Sequence, residues 1–379
     1  MGVFRDEREA AMARVEELER ENAALKAVAQ ERAGPPRARR RLFPLVLGVV
    51  MAAGALGGVF AWLFMARAAP PPREGALVRL GFQVERAGPR AVLGVTAVSD
   101  GVWAVGEGGW IGFRSERGWQ TVPSGTEATL RAVTQSSAGQ VFAVGARGTI
   151  VRFDSDARRW VPETSGVTED LRAIACNTME ACVIAGARGV LLLSNGSRAT
   201  PRQWERVATV VTADLAGVTF YNGGTFAAVV GGGGVVLRVA DGAAVVQASG
   251  TDVDLYGVAT DGNELLAVGA QGTVLRASTG SDAPWRVERI AGASFRTVGV
   301  ARVEVDWGGG GSMGTSLLLV GDGASAWVPT PTSYPTPEPF LAVSLPSNGP
   351  WVSTTNQGTP GSRALLGSAT GEVALSNGR

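Results

Sequence analysis

The chain has 379 residues, with 35 Lys and Arg against 34 Asp and Glu, and contains no histidine. A net charge this close to zero gives no electrostatic support for nucleic-acid binding. Without histidine, Ser-His-Asp and Cys-His catalysis, imidazole bases and His-ligated metal sites are excluded, and two cysteines cannot build a four-thiolate site.

Residues 1–34 read as a cytoplasmic helix. With Val15, Asn22 and Ala29 at heptad a, residues Ala11, Leu18 and Leu25 fall at d. An Asn among apolar a residues favours a parallel two-stranded coiled coil, because its amide finds a partner only in that register. Val15, Leu18, Asn22 and Leu25 are therefore expected to pair two copies of the chain. The competing reading is a solitary charged helix held by local ion pairs.

A basic linker, 35–41, carries Arg37, Arg39, Arg40 and Arg41. Residues 42–66 then run for 25 positions without a charge. As a helix this is long enough to cross a hydrocarbon core of about 30 Å. The cations in front predict a cytoplasmic N-terminus and an exported bulk. The expected setting is single-pass in the bacterial inner (cytoplasmic) membrane, with the remaining domain periplasmic. Ala66-Arg67-Ala68 resembles a signal-peptidase site, but both the leader and the apolar run exceed a signal peptide's, which favours an uncleaved anchor. Gly54 and Gly58 form a small-xxx-small pair suited to close helix packing in a homodimer. Residues 67–75, with Pro70, Pro71 and Pro72, form a stiff spacer.

From 76 to 379 the chain repeats. Apolar strand openers begin at Val92, Leu130, Leu171, Leu215, Leu255, Phe295 and Phe340, each with Val or Ile three residues on. Glycine turns centre on Gly106, Gly145, Gly186, Gly231, Gly269, Gly321 and Gly367. Openers spaced 38 to 45 residues apart mark blades of a β-propeller. In the fifth repeat Leu255-Tyr256-Gly257-Val258-Ala259, Leu265 to Gly269, Thr273 to Arg276 and Trp285 to Arg289 read as four short strands, one blade. Trp119, Trp160, Trp204 and Trp285 recur in outer strands and are expected to pack between blades. The predicted fold is all-β: a seven-bladed propeller of four-stranded blades, preceded by the coiled-coil helix and one transmembrane helix.

Three local features qualify this regularity. Cys176 and Cys182 bracket a hairpin turn in the third repeat, within reach of a disulfide if the register cooperates. In the sixth repeat, Gly308 to Gly311 with Ser312-Met313-Gly314 reads as a flexible insertion. Pro329, Pro331, Pro335, Pro337 and Pro339 follow and read as a stiff inter-blade connection, with a polyproline ligand as the alternative. Phe82-Gln83-Val84-Glu85 sits at the outer-strand distance before the first opener and is expected to complete the last blade. In that blade either Trp351-Val352-Ser353 or Ala364-Leu365-Leu366 is the second strand. The second choice makes Glu372-Val373-Ala374-Leu375 the third, and is preferred.

The phrases Leu130-Arg131-Ala132-Val133, Val144-Gly145-Ala146-Arg147-Gly148-Thr149-Ile150 and Val268-Gly269-Ala270-Gln271-Gly272-Thr273-Val274 resemble BNR-type (Asp-box) propeller repeats. A degenerate Asp-box, keeping Ser, Gly and Trp, stands at Ser115-Glu116-Arg117-Gly118-Trp119. Within that group the chain is similar to the photosystem II assembly and stability factor family and its non-photosynthetic bacterial relatives. The resemblance implies a lumenal or periplasmic, chaperone-like propeller that binds protein.

In a propeller the outer-to-inner links and the second-to-third turns emerge on one face. Arg131, Arg172 and Arg296 in the openers, with Arg147 and Arg188 in the turns, are expected there as a cationic collar for acidic peptide or carboxylate groups. Solvated turn arginines are the plainer reading. The expected function is a non-catalytic protein-binding scaffold or assembly factor, with no cofactor and no metal. The alternative is a carbohydrate-binding or glycoside-acting (sialidase-like) propeller, which needs an arginine triad and a Tyr with an acidic partner; the tyrosines are Tyr221, Tyr256 and Tyr334.

Overall fold

A computed structural model describes residues 77–79, 82–178, 181–194, 203–280, 284–306, 311–322, 325–329, 340–344, 351–354, 365–370 and 372–376. The coiled-coil, linker, membrane and spacer expectations, including Val15, Leu18, Asn22, Leu25, Gly54 and Gly58, lie outside the described residues. Among the described residues no helix is long and apolar enough to cross a membrane.

Arg73–Arg379 forms one compact unit built of seven antiparallel sheets. Each regular blade runs from inner to outer strand in chain order. Blade two, for example, is Leu130–Gln135, Val141–Gly145, Ile150–Asp154 and Arg159–Glu163. Inner strands lie side by side in cyclic order, and Trp351–Thr354 of blade seven rests against Val92–Val98 of blade one. The sheets therefore close into a ring.

The second strands explain the uninterrupted apolar runs. Val141–Gly145 and Cys182–Gly186 are buried at every position because both faces of the sheet meet neighbouring blades. The core is accordingly a series of inter-blade layers. One joins Phe142, Val144 and Ile150 of blade two to Leu171, Ile184 and Leu192 of blade three. Another joins Val373 and Leu375 of blade seven to Val92, Val95 and Trp110 of blade one. The outer-strand tryptophans belong to this packing. Trp160 meets Trp103 of blade one edge-on at 5.2 Å, and Trp204 meets Phe142 of blade two at 6.0 Å.

The seam closes as the sequence predicts. Blade seven is ordered Trp351–Thr354, Leu365–Ser368, Glu372–Ser376 and Phe82–Arg86, so a segment that precedes blade one in sequence supplies its outer strand. Glu85 then reaches into blade one. It accepts hydrogen bonds from Arg114 Nε at 2.6 Å and Arg114 Nη2 at 2.7 Å, and from Trp119 Nε1 at 3.0 Å. Similar links recur around the ring, from Trp204 to Glu163 and from Trp285 to Gln247. Glu163 and Gln247 each stand eight residues before an opener; Val122 holds that place in blade one, and Trp160 Nε1 is buried without a partner.

Three expectations are corrected. Phe340–Ser344 is not the seventh opener but the outer strand of blade six, paired with Ser325–Pro329. The inner strand of blade seven is Trp351–Thr354, which the alternative took as a second strand; the second strand is Leu365–Ser368, the preferred choice. The error arises because Phe340 and Val343 reproduce the opener's apolar spacing in an outer strand. Residues 330–339 consequently join the third and fourth strands of one blade, not two blades. The glycine-rich segment of blade six also differs from a loop. Gly311 pairs with Asp306 and Gly314 with Val303, lengthening the hairpin formed by Phe295–Asp306 and Gly311–Gly321. Leu77–Arg79, a strand the sequence did not reveal, adds to its far end opposite Glu304–Asp306.

The Cys176–Cys182 disulfide is present, its residues directly opposite in register and both buried. Replacing both by Ser is expected to lower stability by about 2 kcal/mol, the loop-closure value for so short a ring, as read by denaturant unfolding with and without reductant. Glu85 is held below the ordinary glutamate range, chiefly by the Arg114 hydrogen bond and then by its charge and Trp119. A lowered carboxyl pKa means that the stabilisation is complete above the unfolded-state value and disappears as pH falls through the folded one. Glu85→Gln should therefore cost about 1–3 kcal/mol near neutral pH. The gap to the native chain should close on acidification below the ordinary glutamate range, measured by thermal unfolding across pH.

Candidate functional site

Each inner strand begins with the same irregularity. The pairing register skips one residue between Val92 and Gly94, Leu130 and Ala132, Leu171 and Ala173, Leu215 and Gly217, Leu255 and Gly257, Phe295 and Thr297, and Trp351 and Ser353. A bulge releases one residue from the ladder and re-aims its side chain. In blades one to six the released residues are Leu93, Arg131, Arg172, Ala216, Tyr256 and Arg296, and all six line one cavity of about 140 Å³ among the inner strands. The next residue is small in most blades, which lets the inner strands close up. A Cβ on Gly217 would lie 3.0 Å from the Cα of Gly257 in the next blade.

The arginines of this mouth are held by acids from the following link. Arg131 Nη2 donates to Asp170 Oδ2 at 3.2 Å, and Arg172 Nη2 to Asp214 Oδ2 at 2.7 Å. The same aspartates accept the backbone N–H groups of Arg147 and Arg188, at 3.0 and 2.9 Å, through their other oxygens. Asp254 repeats the contact on Gly233. One carboxylate thus ties an inner-strand arginine, a second-to-third turn and the next blade's entry together. Asp170 is held below the usual aspartate range, first by the Arg147 N–H and then by the charges of Arg131 and Arg172. Arg188 Nη2 pairs with Glu169 at 3.2 Å while its side chain stays 70% exposed, and Arg296 Nε pairs with Asp322.

The turns owe their shape to the Gly-x-x-Gly phrase. In blade two, Arg147 and Gly148 both take left-handed backbone, at φ 56° and 66°. Gly148 is pressed against the outgoing link, where a Cβ would stand 2.0 Å from the carbonyl oxygen of Val167. Arg147 tolerates the same conformation, exposed at the tip, and makes no ion pair among the described residues.

The structure therefore brings together all five arginines singled out from sequence, but not as an uncompensated collar. Arg131, Arg172 and Arg296 line the cavity; Arg147 and Arg188 stand on turns of the same face, and four of the five have acidic partners. Sequence reasoning missed Leu93, Ala216 and Tyr256 as members of the same ring. It also missed the aspartates that precede the openers at Leu171, Leu215 and Leu255, although both sets occupy constant repeat positions. Tyr221 packs on Phe226 at 5.6 Å, and Tyr334 lies outside the described residues. Among the described residues no group of three His, Cys, Asp or Glu side chains is placed to hold a metal ion.

No family model matches the chain, and no curated protein matches it. Among solved structures, it resembles YCF48 bound to D1 peptide, with a TM-score of 0.60 and 12% identity over 82% of this chain and 99% of the other. It also resembles the WD40 β-propeller domain of Doa1, with a TM-score of 0.59 and 12% identity over 80% and 98%. At this identity the likenesses show a fold, the seven-bladed propeller of four-stranded blades.

Two substitutions in one turn should separate conformational from side-chain roles. Arg147→Gly relieves a left-handed non-glycine residue and is expected to keep or raise stability by up to about 1 kcal/mol. Gly148→Ala meets both the positive φ and the Val167 carbonyl and should cost at least about 2 kcal/mol. Thermal unfolding of the two variants checks both.

Proposed function

We propose that this chain is a membrane-anchored, extracytoplasmic propeller that binds another protein and catalyses no reaction. The observation that carries the reading is the mouth itself, where a bulge in each of blades one to six presents one residue and where exposed arginines rim the cavity. Arg147 and Arg188, at turn tips, are the cations best placed to meet an incoming surface. The structural likeness to YCF48 bound to D1 peptide adds support, because a propeller of this fold has a peptide as its ligand. The anchor rests on the apolar run at 42–66 and the arginines before it, and pairing of two copies on the zipper positions and Gly54 and Gly58. No cofactor enters this reading.

A specific observation supports a second reading as a carbohydrate-binding or glycoside-acting propeller. Arg131, Arg172, Arg296 and Tyr256 line one cavity, the residue types that sialidase-like chemistry asks for. Among the described residues, however, no carboxylate hydrogen-bonds the Tyr256 hydroxyl; Asp170, Asp214 and Asp322 are engaged by arginines, and Asp254 by the Gly233 N–H.

Crosslinking of the full-length chain in intact membranes, followed by identification of the captured protein, is the direct test. Arg147→Ala with Arg188→Ala should reduce capture several-fold without lowering thermal stability; undiminished capture would remove these arginines from the interface. Turnover of a fluorogenic sialoside by the same preparation, abolished by Tyr256→Phe, would overturn the non-catalytic reading.

A further inference from the structure

An aspartate precedes the openers of blades three, four and five, and in two of these places it holds a guanidinium. Asp170 accepts the Arg147 N–H on Oδ1 and Arg131 Nη2 on Oδ2; Asp214 accepts the Arg188 N–H and Arg172 Nη2 in the same way. Asp254 repeats the first half of this arrangement, with Oδ1 on the Gly233 N–H at 2.8 Å. The second half is missing. The bulge residue at the repeat position of Arg131 and Arg172 is Ala216, and the turn tip that carries Arg147 and Arg188 in blades two and three carries Gly233 in blade four. Asp254 is exposed, and its Oδ2 has no hydrogen bond and no ion pair among the described residues.

The surroundings of Asp254 suit an incoming cation. Its carboxylate is tethered by one oxygen to the turn, as in the two places that bind arginine, so the other oxygen is presented without further ordering. Ala216 contributes only a methyl group to the cavity wall, and a Cβ on Gly233 would meet nothing within 4 Å. Tyr256, 37% exposed, is the next bulge residue around the cavity and offers an aromatic surface of the kind on which a guanidinium stacks. Arg172, on the other side of Ala216 in the ring, is already committed to Asp214. We propose that Asp254, over Ala216 and beside Tyr256, binds the guanidinium of an arginine side chain on the docked protein. The visiting group donates to Asp254 Oδ2 as Arg131 and Arg172 donate to their own aspartates, so the partner completes a pattern that the chain fills in two places of three. The face then selects on both signs of charge: Arg147 and Arg188 meet acids, and Asp254 meets an arginine on the blade-four side. This inference rests on the protein-binding reading of the same face.

The test uses the full-length protein, with N-acetyl-arginine amide as probe and the citrulline counterpart, close in shape but uncharged, as comparison. Ligand-observed NMR should show saturable binding of the arginine probe alone. Asp254→Asn keeps an oxygen for the Gly233 N–H and should weaken that binding at least about tenfold. Ala216→Arg supplies the missing arginine from within the chain; it should block the probe to a similar degree and leave thermal stability unchanged or raised. In crosslinking from intact membranes, both variants should reduce capture of the partner several-fold. Loss with both, one of which retains Asp254, ties the effect to the vacant place and not to a distorted turn. If Ala216→Arg fails to fold, Asp254→Asn alone decides. Equal binding of the two probes, or arginine-probe binding that no folded variant weakens, would overturn the proposal. Probe binding lost in the variants while capture is undiminished would overturn the partner's arginine and assign the place to a free guanidino compound. Absence of any captured protein would instead remove the docking reading, and the probe would still decide whether Asp254 holds a guanidinium.

Discussion

A one-residue slip at the start of each inner strand governs the cavity-bearing face of this protein. Were the pairing regular, the residue after each opener would sit in the ladder and point into an inter-blade layer. The slip turns it out of the ladder instead, and repetition places these residues around one opening. The small residue that follows is part of the same constraint, because neighbouring inner strands must nearly touch for the opening to stay narrow. The scaffold thus separates two jobs along one strand. The opener and the residue three places on fill the core, and the residue between ladder positions is free to vary from Leu to Arg to Tyr.

Charge at this face is balanced locally. Arg131 and Asp170 are 39 residues apart, and Arg172 and Asp214 are 42 apart, one repeat in each case. Exposed pairs of this kind contribute about 0–1 kcal/mol, so stability alone does not account for them. Their geometric effect is larger. Each aspartate joins a guanidinium and a turn N–H, so the side chain at the opening and the backbone at the rim are held in fixed relation.

The parts of the fold legible in the sequence are those imposed by packing. In blades one to six each opener pairs with its glycine turn, Leu130 with Gly145 and Leu255 with Gly269 among them, so both leave a regular trace. The closing strand at Phe82 was legible for the same reason, since its distance to Val92 follows the repeat. Phe340 misled because apolar spacing marks a strand without saying where in a blade it lies. The five arginines were visible as residues. Their partners were not, because the relevant neighbours are a full blade away and become neighbours only when blades stack. Leu93 and Ala216 carried no chemical signal of their own and became part of the site through position alone.

Closure by Phe82–Arg86 also dictates an order of assembly. This strand is made long before its hydrogen-bonding partner, Glu372–Ser376. Blades one to five are contiguous in sequence and can stack as they appear, each covering the apolar face of the one before. Throughout that time the first blade has an uncovered flank and the early strand has nothing to pair with. The ring is therefore an open arc until Glu372–Ser376 has been made, and closing it brings together segments almost three hundred residues apart, the slow, long-range kind of contact.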